Sequence, residues 1–174
     1  MSMRKTAAIV LFFALTTNIG FADSPRAGKS ITEAEIAAWD LSILGDGTGL
    51  PAGSGTSAEG AVIYAQKCVA CHGENGKGGN NGAVVGGPPL DRIEATKTIA
   101  NFWGYPTTVF DFIRRAMPWQ QPRTLTNNEV YALAAYIFAQ NKLIGEKDAM
   151  NAQTLPKVKM PNRDNFIIRF PKQI

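Results

Sequence analysis

The sequence predicts an all-α domain of short helices joined by long glycine- and proline-rich loops, and three observations predict it. Apolar residues recur at helical spacing behind repeated N-cap signatures, and no segment sustains the alternation of a strand. Between His72 and Leu90 lie seven glycines and two prolines, a composition that excludes regular structure and should wrap around something. With 45% hydrophobic and 18% charged residues, the 174-residue chain fits one globular domain with extras and excludes disordered, collagenous and multi-pass membrane classes.

The chain opens with Arg4 and Lys5, the apolar run Ala7 to Leu15, and small residues Gly20 and Ala22 placed for cleavage after Ala22. This pattern predicts a secretory signal peptide over 1–22 and a periplasmic mature protein. The run is shorter than the roughly 20 residues a membrane span needs. Ile19 and Phe21 extend it, which keeps an uncleaved anchor as the alternative. Cleavage removes Arg4 and Lys5 and no acid, so the formal charge falls from +4 to +2. Nucleic-acid binding thereby loses its charge argument, and no stable membrane insertion is expected after cleavage.

Residues 23–55 read as an N-terminal extension. Thr32-Glu33-Ala34-Glu35 fits a capping box, followed by a short helix ending near Asp40, and Gly45 to Gly55 is a loop with five glycines and a proline. The main domain spans 56–141. Thr56-Ser57-Ala58-Glu59 caps a helix to about Cys68, on which Gly60, Tyr64 and Cys68 share one face. A second helix begins at Thr108-Val109-Phe110-Asp111 and gives way to loop at Met117-Pro118. A third follows the cap Thr126-Asn127-Asn128-Glu129, with Val130, Leu133, Ala134, Ile137 and Phe138 forming an apolar stripe. Residues 142–174 form a C-terminal extension. Few short helices with so much loop supply little buried area, so a large apolar group should complete the core.

Both cysteines and the single histidine fall in Cys68-Val69-Ala70-Cys71-His72. This is the haem-attachment signature, in which two thiols bond the haem vinyl groups and the adjacent imidazole ligates iron. Three other readings fit less well. A thioredoxin-like pair needs a preceding strand where a helix is expected, a zinc site would need a carboxylate as fourth ligand, and a plain disulfide explains neither the histidine nor the loop. With one histidine, bis-histidine ligation is excluded, and the sixth position falls to methionine, lysine, water or nothing. Met117, at the helix-to-loop break, is the first candidate. Met160 and then Met150 stand behind it, and an open sixth site would instead make a ligand-binding or catalytic haem protein.

In their order, Gly60 and Tyr64, Cys68 to His72, Gly87-Pro88-Pro89-Leu90, Met117-Pro118, and Leu133 with Tyr136 and Ile137 resemble a class I monohaem cytochrome c over residues 56–141. The resemblance implies that the Pro88 carbonyl accepts a hydrogen bond from His72 and that Leu90 packs on the haem. It further implies that the first and last helices cross closely near Gly60 and Tyr136. Propionate partners are sought among Trp103, Tyr105, Arg114 and Arg115, with solvated arginines and a core Trp103 as the alternative. A saturated His72 and Met117 site suits one-electron transfer, with no independent catalytic site.

The extensions carry opposite net charge, −3 over 23–55 and +4 over 142–174, and enough apolar residues (Trp39, Leu41, Ile43, Phe166, Ile167, Ile168 and Phe170) to favour docking over solvated tails. Trp39-Asp40, Asp46-Gly47-Thr48-Gly49-Leu50-Pro51, Gly53-Ser54-Gly55, Tyr105-Pro106-Thr107-Thr108, Arg114-Arg115-Ala116-Met117-Pro118 and Leu155 to Asp164 resemble the cytochrome subunits of the sulfur-oxidising multienzyme system and of sulfite dehydrogenases. That resemblance implies a molybdenum-cofactor subunit as electron donor and a downstream cytochrome or oxidase as acceptor. A carrier for another dehydrogenase fits the same residues.

Overall fold

In the computed structural model, residues 28–92 and 94–166 are described. The signal peptide over 1–22 and the apolar residues Ile167, Ile168 and Phe170 lie outside them. The chain divides into two units, Met1–Trp39 and Asp40–Ile174. In the first, α1 (Glu33–Trp39) follows the expected capping box, with Glu35 N–H donating to Thr32 Oγ1 at 3.2 Å. None of its residues is buried.

The second unit is built on α2 (Ser57–Lys67) and α6 (Asn127–Gln140). Each begins with the expected capping box, Thr56 with Glu59 and Thr126 with Glu129, which satisfies amide groups that a helix start leaves without partners. The two helices cross where α2 has no side chain. A Cβ on Gly60 would sit 1.9 Å from the Ala132 carbonyl oxygen and 2.7 Å from Tyr136 Cβ, so only glycine permits the approach. One turn on, the Tyr64 and Tyr136 rings pack at 5.0 Å.

Between them come α3 (Val69–His72), α4 (Ile99–Phe102) and α5 (Pro106–Ala116). Helix α5 starts two residues before the expected Thr108, because Pro106 takes the first helical position, where a missing N–H costs nothing. Helix α4 was not expected. Its cap pairs Thr98 with Asn101, an asparagine doing what glutamate or glutamine does in the usual box.

No strand with sustained alternation occurs among the described residues, but one short pair does. β1 (Ser54–Thr56) and β2 (Ala149–Asn151) pair antiparallel, with Gly55 opposite Met150. Three residues each are too few to show alternation, and the partners lie in different extensions, so local pattern carries no trace of them. Gly55 is needed because a Cβ there would meet the Ala132 amide nitrogen at 2.3 Å.

The extension residues of this unit belong to its core. Met150, Leu155, Val158 and Met160 are buried in one cluster with α5 and α6, and Ile43 and Leu50 pack against it. Tyr131 donates its hydroxyl to the Pro51 carbonyl at 2.8 Å, Asn162 donates to the Phe102 carbonyl at 2.7 Å, and the Arg163 guanidinium lies 4.2 Å from the Tyr105 ring centre. Among the described residues no ion pair joins the two extensions. Backbone pairing and apolar burial hold them. With its second side covered in this way, α6 is buried at every position from Val130 to Ala139, where the sequence predicted a one-sided stripe.

Two outcomes follow from this packing. Gly60→Ala should destabilise the fold by about 3 kcal/mol, the upper end of overpacking costs because the obstructing atom is backbone, as read by chemical unfolding. The Glu129 carboxyl is held below its usual 4.5 by the Thr126 backbone N–H and then by Lys67, which donates at 2.9 Å. A carboxylate depressed in the folded state adds stability above its unfolded pKa and loses it as pH falls through the folded value. Glu129→Gln should therefore flatten the fall in thermal midpoint below about pH 4.5 relative to the parent protein.

Candidate haem site

Helix α2 stops at Cys68, whose φ of −124° breaks the helix while its N–H still donates to the Tyr64 carbonyl at 2.9 Å. The motif then makes one turn of its own, α3. Cys71 and His72 donate their N–H groups to the Cys68 carbonyl at 3.1 and 2.9 Å. Gly73 ends the turn at φ +73°, and a Cβ there would strike the Gly78 carbonyl oxygen at 2.1 Å. The glycine-rich loop folds back onto the motif, with Asn81 N–H donating to the Cys71 carbonyl at 3.0 Å.

Cys68, Cys71, His72 and Met117 all line one cavity of about 520 Å³. Its volume falls within the range of a small-molecule or cofactor pocket. Helix α5 contributes Val109, Phe112 and Ile113 from one face, α6 contributes Leu133 and Ile137, and α4 contributes Ile99. Among the described residues no aspartate or glutamate lines the cavity. Lys67, Asn81 and Gln120 add polar ends to a largely apolar wall. Of the three methionines in the second unit, Met117 alone reaches this cavity; Met160 and Met150 are buried in the core beyond it.

Electrostatics separate the site from a redox thiol pair. Burial pushes the Cys68 thiol up to about 11, partly offset by Lys67. A thiol tuned for exchange is shifted the other way. Burial, with the nearby Cys68 and Tyr136, pushes Tyr64 up to about 12, so it stays protonated and donates to the Gly73 carbonyl at 3.0 Å. The thiols are free of each other.

His72 Nδ1 lies 3.0 Å from the Gly82 carbonyl oxygen. A carbonyl only accepts, so this contact puts the proton on Nδ1 and leaves the Nε2 lone pair for a metal. The resemblance had given that role to Pro88. The Pro88 carbonyl instead accepts from Asn101 Nδ2 at 2.9 Å, and Pro88 is exposed. The loop has turned toward α4 by that point, its Gly86 carbonyl accepting from Thr98 Oγ1 at 2.5 Å.

Other expected contacts divide. Trp103 lines the cavity, edge-on to Phe112 at 5.3 Å. Leu90, Tyr105 and Arg114 are not among the lining residues. Leu90 follows the diverted loop, Tyr105 is engaged by Arg163, and Arg114 is rotated by about 100° from the inward Ile113. Arg115 is committed to Asp111 at 2.6 Å and to the Leu41 carbonyl. Sequence reasoning missed Lys67, Asn81, Trp119 and Gln120. Lys67 precedes the motif and Trp119 follows Met117-Pro118 directly, and this adjacency was the available signal.

The arrangement fits a large, flat, mostly apolar group that bonds two thiols and presents a metal to an imidazole and a thioether. Residues 55–137 match the family model described as cytochrome c oxidase, cbb3-type, subunit III. The crystal structure of the sulfane dehydrogenase SoxCD from Paracoccus pantotrophus contains a chain that superposes with a TM-score of 0.76 at 32% identity, over 84% of this chain and 73% of that one. The chain belongs to the cytochrome c family. Its fold is the mostly helical cytochrome c fold, and the family implies a haem c. This cytochrome is also 31% identical, over 91 residues, to the thiosulfate dehydrogenase of Stutzerimonas stutzeri (strain A1501). That match takes in 50% of the cytochrome but only 28% of the relative's length. Among the described residues no helix is long and apolar enough to cross a membrane.

Asn101, outside the cavity lining, gives the loop beside α4 a testable dependence. It is buried, and its amide donates to both Pro88 and Thr96 carbonyls while accepting from Thr98 N–H at 2.7 Å. Asn101→Ala strands these groups and should cost about 1–3 kcal/mol, measured as a lowered unfolding midpoint of the haem-loaded protein.

Proposed function

We propose that this cytochrome holds one haem c through thioether bonds from Cys68 and Cys71, with His72 and Met117 as axial ligands. In this reading it passes single electrons in the periplasm from a molybdenum-cofactor sulfite or sulfur dehydrogenase to a downstream cytochrome or oxidase. The observation that carries the site is the convergence of those four side chains on one apolar cavity. The likeness to a chain of the sulfane dehydrogenase SoxCD, over 84% of this one, supports the partner.

The bound haem supplies a single-electron exchange at iron. The protein's part is to fix and shield it. Gly82 holds the imidazole in one tautomer through the contact with Nδ1, and the Met117 thioether, as a ligand that does not exchange, would keep substrates off the metal and raise the potential. Val109, Ile113, Leu133 and Ile137 line the cavity and would exclude water from the bound group. Lys67, Asn81 and Gln120, with the Trp103 indole, are the donors available to the haem carboxylates. With no carboxylate among the described lining residues and the imidazole given to the metal in this reading, the site is suited to moving electrons and not to proton-coupled substrate chemistry.

Met117→Ala should keep the attached haem but give high-spin ferric bands, bind exogenous ligands and lower the reduction potential, checked by visible spectroscopy and potentiometry. An unchanged spectrum would overturn Met117 as the ligand. The partner is tested by co-purification from the native cell and sulfite addition. Reduction of the haem by sulfite only when the partner is present supports the assignment, and equal reduction by unrelated dehydrogenases without any response to sulfite overturns it.

A further inference from the structure

The imidazole depends on a loop that has no regular structure, and one side chain far along the sequence holds that loop. Asn141 is the C-cap of α6. Its Nδ2 donates to the Val84 carbonyl at 3.2 Å and to the Ile137 carbonyl at 2.9 Å, while its Oδ1 accepts the Gly86 N–H at 2.8 Å. One amide thus fastens residues 84–86 to the end of α6 across separations of 55 and 57 residues. The Ile137 carbonyl, in the last turn of the helix, also accepts the Asn141 backbone N–H at 3.1 Å, so main chain and side chain of Asn141 are fixed to the same acceptor.

Gly82 stands two residues before this anchor, at φ +81°. On its upstream side Asn81 N–H is fixed to the Cys71 carbonyl at 3.0 Å. On its downstream side Val84 is held by the Gly76 carbonyl, at 2.8 Å, and by Asn141. The carbonyl that faces His72 Nδ1 therefore has no side chain of its own to hold it. Its position is set by these two ends together with the Gly82 N–H, which donates to the Gly79 carbonyl at 3.3 Å.

We propose that Asn141 is a positioning residue for the axial imidazole: by seating residues 84–86 on α6 it sets the place of the Gly82 carbonyl, and so the strength of the His72 Nδ1 hydrogen bond. The proposal rests on the reading of His72 as an iron ligand. A strong bond at Nδ1 makes the imidazole a better donor to the metal and favours the ferric state. Loosening it makes the ligand poorer and moves the potential upward.

The test uses the full haem-loaded chain as parent, Asn141→Ala, Asn141→Asp and Asn101→Ala. The readouts are reduction potential, solvent exchange of the His72 Nδ1 proton by NMR of the reduced protein, and unfolding midpoint. Asn141→Ala should raise the potential and speed proton exchange. Asn141→Asp, which keeps the acceptor for Gly86 N–H and loses both donors, should fall between parent and alanine variant. Asn101→Ala should lower the midpoint and leave the potential and the proton unchanged, since its amide holds the Pro88 side of the loop. The proposal is overturned if Asn141→Ala behaves as Asn101→Ala does. Should the alanine variant fail to load haem, Asn141→Asp decides, and an unshifted potential there overturns it. A parent protein without a histidine-ligated low-spin spectrum would instead defeat the ligand assignment itself.

Discussion

The crossing of α2 and α6 at Gly60 and Ala132 is the constraint on which the site depends. It brings the two helix backbones to a separation that no side chain at position 60 would allow. From that crossing α2 runs one face, Gly60 then Tyr64 then Cys68, along α6 and delivers the Cys68-to-His72 turn beside Leu133 and Ile137. The cavity is the space left where α2 ends, α5 approaches and α6 continues. The lining of this cavity of about 520 Å³ is largely apolar, so a group seated in it would gain dispersion and hydrophobic contact along that lining. In the proposed reading a covalently held haem would take those contacts, and would then be part of the core as well as the reactive centre.

The extensions finish what the haem domain leaves open. Helix α6 is apolar on more faces than α2 and α5 can cover. Strand β1 lies on it at Gly55, β2 pairs with β1, and Leu155, Val158 and Met160 close the far side. Opposite net charges on the two segments suggested an electrostatic meeting. What holds their described residues is hydrogen bonding of backbone and amide groups together with apolar burial, interactions that ionic strength screens little.

What the sequence made legible was local or chemically singular. Thr56, Thr126 and Thr32 announced their helices because a capping box is written within four residues, and the haem motif because it concentrates both cysteines and the single histidine in five. Helix α4 escaped because Asn101 stands in for the expected glutamate, and β1 and β2 escaped because each is three residues long and pairs at long range. The partner of His72 was the most instructive miss. A glycine carbonyl carries no side-chain signature, whereas Pro88 is visible in the sequence and had the family's pattern behind it. Only the hydrogen bonds of Asn101, Thr98 and Asn141 show that the loop has turned away before Pro88. Tyr105 and Arg114 were chosen for their chemistry, and packing of the C-terminal extension and the helical rotation of α5 direct them elsewhere.

The central claim is that this chain alone supplies both axial ligands to a covalently attached haem. The visible spectrum of the purified ferric protein, without added ligand or partner, tests it most directly. Six-coordinate low-spin bands with a weak methionine-to-iron charge-transfer feature are the predicted result, because His72 and Met117 line one cavity. High-spin bands in the native protein would contradict the account and place this cytochrome among haem proteins with an open sixth position.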